Sequence, residues 1–299
     1  MLLLLSAAGC DTSQPYVSAE RLERGLVIVL PGIEGRSQFS RDICRGLDEA
    51  GLDCAIQLYD WTIPLGPLYN LRAATRNRRQ AEYVAGLIVR YRKACPGRPV
   101  VLVGQSGGGA IAVWAAEVLP PGQKVDGIIL LAAALSPNYM LDMALANSTR
   151  GIASFHSDRD WLLLTTNITG TMDGEATTSA GRTGFYVPEG PGKPKCYAAL
   201  HQVPWDRQMA RSGHTGGHLT SGATHFVTLY VAPLVQQDTW DQAAVDRIMS
   251  NANGHGPPSA SASPSRPGNA ERPAPPAPSA PVPSPAPRPS PSAKPPPWD

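Results

Sequence analysis

Net charge is nearly absent from this 299-residue sequence. Its formal +2 comes from the last stretch, where Arg266, Arg272, Arg288 and Lys294 are set against Glu271 and Asp299. The body therefore has no excess of either sign. That excludes the basic footprint of a nucleic-acid binder, and no nucleic-acid partner is expected. The opening apolar run, MLLLLSAAGC, is too short for a bilayer, which takes about 20 residues to cross. Cysteine is scarce: beyond Cys10 there are Cys44, Cys54, Cys95 and Cys196, at spacings that match no zinc-ligand pattern. No metal and no cofactor is expected. Those four cysteines form either two disulfides, in one of three connectivities, or buried free thiols.

What is present is apolar: 42% of the residues are hydrophobic, enough to bury a sizeable core. Residues 1–10 read as an export signal. The run LSAAGC resembles the lipobox of bacterial lipoproteins. That resemblance implies cleavage before Cys10, acylation of the new N-terminus and a lipid anchor to a membrane of the bacterial cell envelope. Residues 11–25 then form a linker, and 26–250 the folded domain. Residues 251–299 are nearly all Pro, Ala and Ser. With so little to bury they cannot offset the entropy of ordering, so a disordered tail is expected, its partner unknown.

Within the domain, short β-branched runs alternate with helix-like segments. LVIVL (26–30), CAIQLYD (54–60), VVLVG (100–104), GIILLAAA (127–134), IASFH (152–156) and KCYAALHQV (195–203) read as buried strands. The segment 71–94 puts Val84, Leu87, Ile88 and Tyr91 on one stripe and leaves Arg72, Arg76, Arg78, Arg79 and Arg90 for solvent. The alternation predicts an α/β fold, with a mostly parallel central sheet and helices on both faces. Working groups in such sheets sit beyond the carboxyl ends of the strands.

At the end of VVLVG the chain reads Gly104-Gln105-Ser106-Gly107-Gly108. This G-x-S-x-G lies between an expected strand and an expected helix. A serine on a strained positive-φ turn crowds its neighbours, and Gly104 and Gly108 are small at the two crowded places. Gly109 and Ala110 let the next helix lie close to the sheet, with Ile111, Trp114 and Val118 expected on its inner stripe. Taken with LVIVLPGIEG near the start and with the aspartates and then the histidines further along the chain, VVLVGQSGGG resembles the α/β-hydrolase family over residues 26 to about 236.

The resemblance implies acyl transfer through a serine, an acid and a histidine, in that chain order, with an oxyanion hole. Ser106 is the expected nucleophile. The backbone N–H of Gly107 and, from the PGIEG loop, that of Ile33 are the expected oxyanion donors. For the acid, Asp160 in SFHSDRDW is chosen over Asp158, with Asp173 third. Three histidines compete for the base. Thr220 or Ser221 is expected to cap a helix running through Phe226, Leu229, Tyr230 and Leu234, which puts His225 in its first turns and off the loop. His218 comes after two glycines and is preferred to His214.

A minimal cap is expected, because only a short helix drawn from Pro137, Tyr139, Met140, Leu141 and Met143 fits between the strands ending near Ala134 and starting near Gly151. Trp61 either walls the acyl pocket or packs in the core. The arginines of LRAATRNRRQ are read as solvated surface, with an anionic lipid head or acidic polymer as the other reading. The expected activity is hydrolysis of a small-molecule or lipid carboxylic ester. An inactive envelope-binding lipoprotein of the same fold is the alternative.

Overall fold

A computed structural model describes residues 11, 13–190 and 194–254. Cys10 and most of the Pro-rich tail lie outside them. Six strands form one sheet: β1 (Leu26–Leu30), β2 (Ala55–Leu58), β3 (Val100–Gln105), β4 (Gly127–Leu131), β5 (Ile152–His156) and β6 (Leu200–Pro204). All pair in parallel, in the order β2-β1-β3-β4-β5-β6. The central strands read as continuous apolar runs because both faces are covered. Leu26, Ile28 and Leu30 enter one core, while Val27 and Val29 enter the other.

The helices divide between these cores. α1 (Gln38–Glu49), capped at Ser37 by a reciprocal capping box, places Ile43 and Leu47 in the second core. α2 (Pro67–Arg72) and α3 (Ala74–Ala94) come after β2, and Val84, Leu87, Ile88 and Tyr91 of α3 are buried in the first core as their spacing requires. α4 (Gly107–Glu117) comes after β3, α5 (Asp142–Ala146) after β4, and α6 (Gln242–Gly254) closes the described chain. Among the described residues no helix is long and apolar enough to cross a membrane.

Several sequence expectations need correction. The run 54–60 pairs only over Ala55–Leu58, and the run 127–134 only over Gly127–Leu131, after which Ala132 turns to φ 52°. Lys195–Ala199 is a 3₁₀ turn, so the last strand starts at Leu200. The expected helix at 71–94 is two helices broken at Ala73. Val118 is exposed rather than inward: α4 ends at Glu117, and Val118 lies past the last turn that the sheet covers. Neither Thr220 nor Ser221 caps a helix, because their hydroxyls donate instead to the carbonyls of Gly217 and His218. The helical stretch begins at Thr224 and passes through a π turn at Val227–Val231.

α6 extends to Gly254, four residues into the segment assigned by composition to the tail, because Ala252 is buried and the Tyr230 hydroxyl donates to Asn253. Cys44, Cys54, Cys95 and Cys196 are free thiols. Burial pushes the Cys44 thiol up to about 12, which leaves it chemically inert.

Candidate active site

Ser106 stands between β3 and α4 with φ 53° and ψ −120°. A side chain in this region strains the backbone by about 1–3 kcal/mol and persists only where the surroundings over-determine it. Here they do. The Ser106 N–H donates to the Leu131 carbonyl at 2.9 Å, and its own carbonyl accepts from Gly109 at 3.0 Å and Ala134 at 3.1 Å. The flanking glycines are steric necessities. A Cβ on Gly104 would stand 2.5 Å from the Gly108 carbonyl oxygen, and one on Gly108 would stand 2.2 Å from that of Leu30.

The structure brings His218 and Asp160 to this serine. His218 Nε2 lies 2.9 Å from Ser106 Oγ, and its Nδ1 lies 2.7 Å from Asp160 Oδ2. All three are buried, Asp160 completely. Asp160 Oδ1 accepts from the Leu163 N–H at 3.3 Å, and Arg182 donates to the Asp160 carbonyl at 3.1 Å. His218 opens a 3₁₀ turn directly after Gly216 and Gly217. Gly216 has φ 92°, and a Cβ there would come within 3.1 Å of Ser157 Oγ and 3.0 Å of Arg159 on the acid loop. Glycine at 216 is what lets the histidine loop close on the aspartate.

The other candidates are placed elsewhere. Asp158 is exposed, and Asp173 accepts from the Ser136 N–H. His214 Nδ1 pairs with Thr220 at 3.0 Å, its ring packs on Phe226, and burial lowers its pKa to about 4. His225 Nε2 is buried without a hydrogen-bond partner.

Around Gly107 the packing is close. A Cβ there would meet Ile33 Cγ2 at 2.7 Å, Trp61 Cζ2 at 3.2 Å and Met172 Sδ at 3.3 Å. As the first residue of α4, Gly107 has an N–H with no acceptor in its own helix, and the helix dipole favours negative charge there. The 31–35 loop is pinned from behind. The Trp61 indole N–H donates to the Pro31 carbonyl at 2.8 Å, Gly35 N–H to Gly32 at 3.0 Å, and Asn70 Nδ2 to Ile33 at 3.0 Å. Trp61 is thus fully buried and at the same time lies against the serine turn.

Asn70, Asn77 and Met172 are absent from the sequence expectations. Asn70 also bonds both backbone groups of Ile63, and Asn77 Nδ2 donates to the Asn70 carbonyl at 2.6 Å. Two asparagines seven apart on an otherwise apolar inner stripe are the signal that could have found them, since buried amides demand partners. Arg76, expected in solvent, turns inward to the Trp61 carbonyl. Met172, which comes after β5, is the side chain from that connection that packs beside the serine turn; between β4 and β5 the apolar residues expected as a cap helix do not form one. There the only helix is α5, with Pro137 and Leu141 buried.

The fold has a counterpart among solved structures. The chain superimposes on the crystal structure of Aspergillus fumigatus lipase B with TM-score 0.52 and 14% identity, over 85% of its own length. The fold is the α/β-hydrolase fold. The chain spans 62% of the length of that lipase. Matches of lower TM-score include dienelactone hydrolase from Anabaena variabilis (0.37, 18% identity, 70% of this chain and 84% of that one). Est1E from Butyrivibrio proteoclasticus is another (0.38, 12% identity, 76% and 88%). No family model matches the sequence, and neither does any curated protein. In the α/β-hydrolase fold of this chain, a hydroxyl, an imidazole and a carboxylate stand in hydrogen-bonded series at the carboxyl edge of the sheet. Such a series can draw a proton from the hydroxyl and return it.

Proposed function

We propose that this chain is a serine hydrolase that cleaves carboxylic esters through an acyl-enzyme on Ser106. Ser106 Oγ attacks the ester carbonyl carbon while His218 Nε2 takes its proton. Asp160 holds the Nδ1–H tautomer and stabilises the imidazolium. The carbonyl oxygen becomes an oxyanion, received by the N–H groups of Gly107 and Ile33. Collapse breaks the bond to the alcohol, which leaves with the proton from Nε2. Water then loses a proton to His218 as it attacks the acyl carbon; the second collapse breaks the bond to Ser106 Oγ, which takes that proton back from Nε2 as the acid is released. The substrate class is a small-molecule or lipid ester. The acylated Cys10 would hold the enzyme at the membrane of a bacterial cell envelope.

One observation carries the reading: a serine on an over-determined positive-φ turn, 2.9 Å from an imidazole whose other nitrogen is 2.7 Å from a fully buried carboxylate. A cap or core histidine has no need of a strained partner. The test is labelling with a fluorophosphonate probe. Wild-type protein should be labelled, and Ser106→Ala should not. An unlabelled but folded wild type would leave an envelope-binding lipoprotein of the same fold.

A further inference from the structure

The N-terminal segment runs along the outer side of β2. The Gln14 side chain accepts from the Leu58 N–H at 2.8 Å and donates to the Leu58 carbonyl at 3.1 Å, while Ile56 N–H donates to the Tyr16 carbonyl at 3.0 Å. Residue 14 thus lies against residue 58 and 16 against 56, so the segment is antiparallel to the strand. Asp11 therefore stands at the carboxyl edge of the sheet, where Ser106 also is. The segment lies one position outside β2, which is itself two positions from β3 in the sheet, a lateral separation of about 14 Å.

That edge is also where large apolar side chains are left in water. Of the thirteen that are exposed among the described residues, eight lie within 65–69 after β2, within 161–168 after β5, or at Leu219 beside His218. On one flank Leu65, Leu68 and Tyr69 are 65, 52 and 44% exposed. On the other, Trp161, Leu164 and Ile168 are 69, 43 and 87% exposed. The flanks meet where Arg72 Nε donates to the Thr169 carbonyl at 3.4 Å. Apolar groups gathered in this way mark an interaction surface. Ser106 is buried beneath the same edge, so for a hydrolase whatever covers the flanks must leave a route for substrate down to it. A rigid protein cover would close that route, whereas a lipid surface covers the flanks and delivers esters between them. Tyr and Trp at the water boundary suit such a surface.

We infer that the catalytic edge docks on a lipid–water surface through the two apolar flanks, which turn Ser106 towards it. This rests on the lipid-anchored ester hydrolase reading above. The probe is the full chain carrying Cys10→Ser, so that no acyl chain contributes, with phosphatidylcholine vesicles, which do not repel an added carboxylate. The chain should sediment with the vesicles. The double variant Trp161→Glu, Ile168→Glu should lower partitioning at least tenfold, and Leu68→Glu on the other flank should lower it as well. Brominated acyl chains should quench the fluorescence that is lost on Trp161→Phe.

Turnover of a soluble acetate ester by the flank variants should stay within twofold of the parent. Equal partitioning of the double variant, no quenching at Trp161, or a dimer that the same substitutions abolish without vesicles would overturn the inference. Ser106→Ala should bind vesicles like its parent. Failure of the hydrolase reading, seen as no fluorophosphonate label, is thereby distinct from failure of docking.

Discussion

Replacing Asp160 by asparagine tests the proposed chemistry with little change of shape. The two carboxylate oxygens are not equivalent, since Oδ1 accepts from the Leu163 N–H while Oδ2 faces His218 Nδ1 at 2.7 Å. An asparagine keeps its oxygen where Leu163 donates, so its NH₂ must take the place facing the imidazole. That amide donates to Nδ1 and forces the proton onto Nε2, which then points a hydrogen at Ser106 Oγ and can no longer accept one. Loss of the base and of the charge that stabilises the imidazolium should lower kcat/KM by about 10³- to 10⁴-fold, or about 4 to 5.5 kcal/mol of transition-state stabilisation. Stability should hold or rise, because Asp160 is fully buried and removing a buried charge while keeping its shape relieves desolvation. The assay pairs p-nitrophenyl ester kinetics with a urea melt. Activity within tenfold of wild type, in a protein that melts normally, would refute the role given to Asp160.

Asn70→Ala removes the donor that holds the Ile33 carbonyl and should lower kcat about ten- to a hundredfold with KM within threefold, the size expected when an oxyanion donor is loosened rather than lost. Asn70→Asp, the same shape without the N–H, should fail to restore it; an unchanged kcat in both variants would remove Asn70 from the positioning network. Gly108→Ala drives a methyl to 2.2 Å from the Leu30 carbonyl oxygen and 2.4 Å from that of Pro31, so the urea midpoint should fall by an amount worth about 1–3 kcal/mol; a wild-type midpoint would contradict the close approach. His214, buried, keeps its neutral form down to a pKa of about 4 against an ordinary 6.5. The unfolded chain binds the extra proton between those values, so stability should fall by about 3 kcal/mol as pH drops from 6.5 to 4. His214→Asn should flatten that slope in acid-dependent melts, and an unchanged slope would assign it to other groups such as His156, which burial also shifts down.

The parts of this protein that were readable in the sequence are those governed by local periodicity and steric demand. Runs such as LVIVL and VVLVG are apolar throughout because both faces of a parallel strand are covered, and glycines at 104 and 108 are required by any side chain held at φ 53° between them. Element ends were misplaced where tertiary packing decides them. KCYAALHQV has the composition of a strand, yet only the part from Leu200 finds β5 to pair with. Thr220 and Ser221 have the chemistry of caps, yet their hydroxyls are spent on the turn that carries His218.

By itself the sequence determined an alternating fold and a serine at the end of the third strand, because spacing and side-chain volume are properties of neighbours along the chain. Which aspartate and which histidine meet that serine was decided only in three dimensions. Asp158 and Asp160 are two residues apart, and His214 and His218 four, so composition hardly separates them; the Asp160 carboxylate turned inward onto Leu163 and the Gly216 backbone laid against Ser157 do. The hold of Asn70 on Ile33 spans 37 residues and exists only because the sheet brings the loop after β1 and the helix after β2 to one edge.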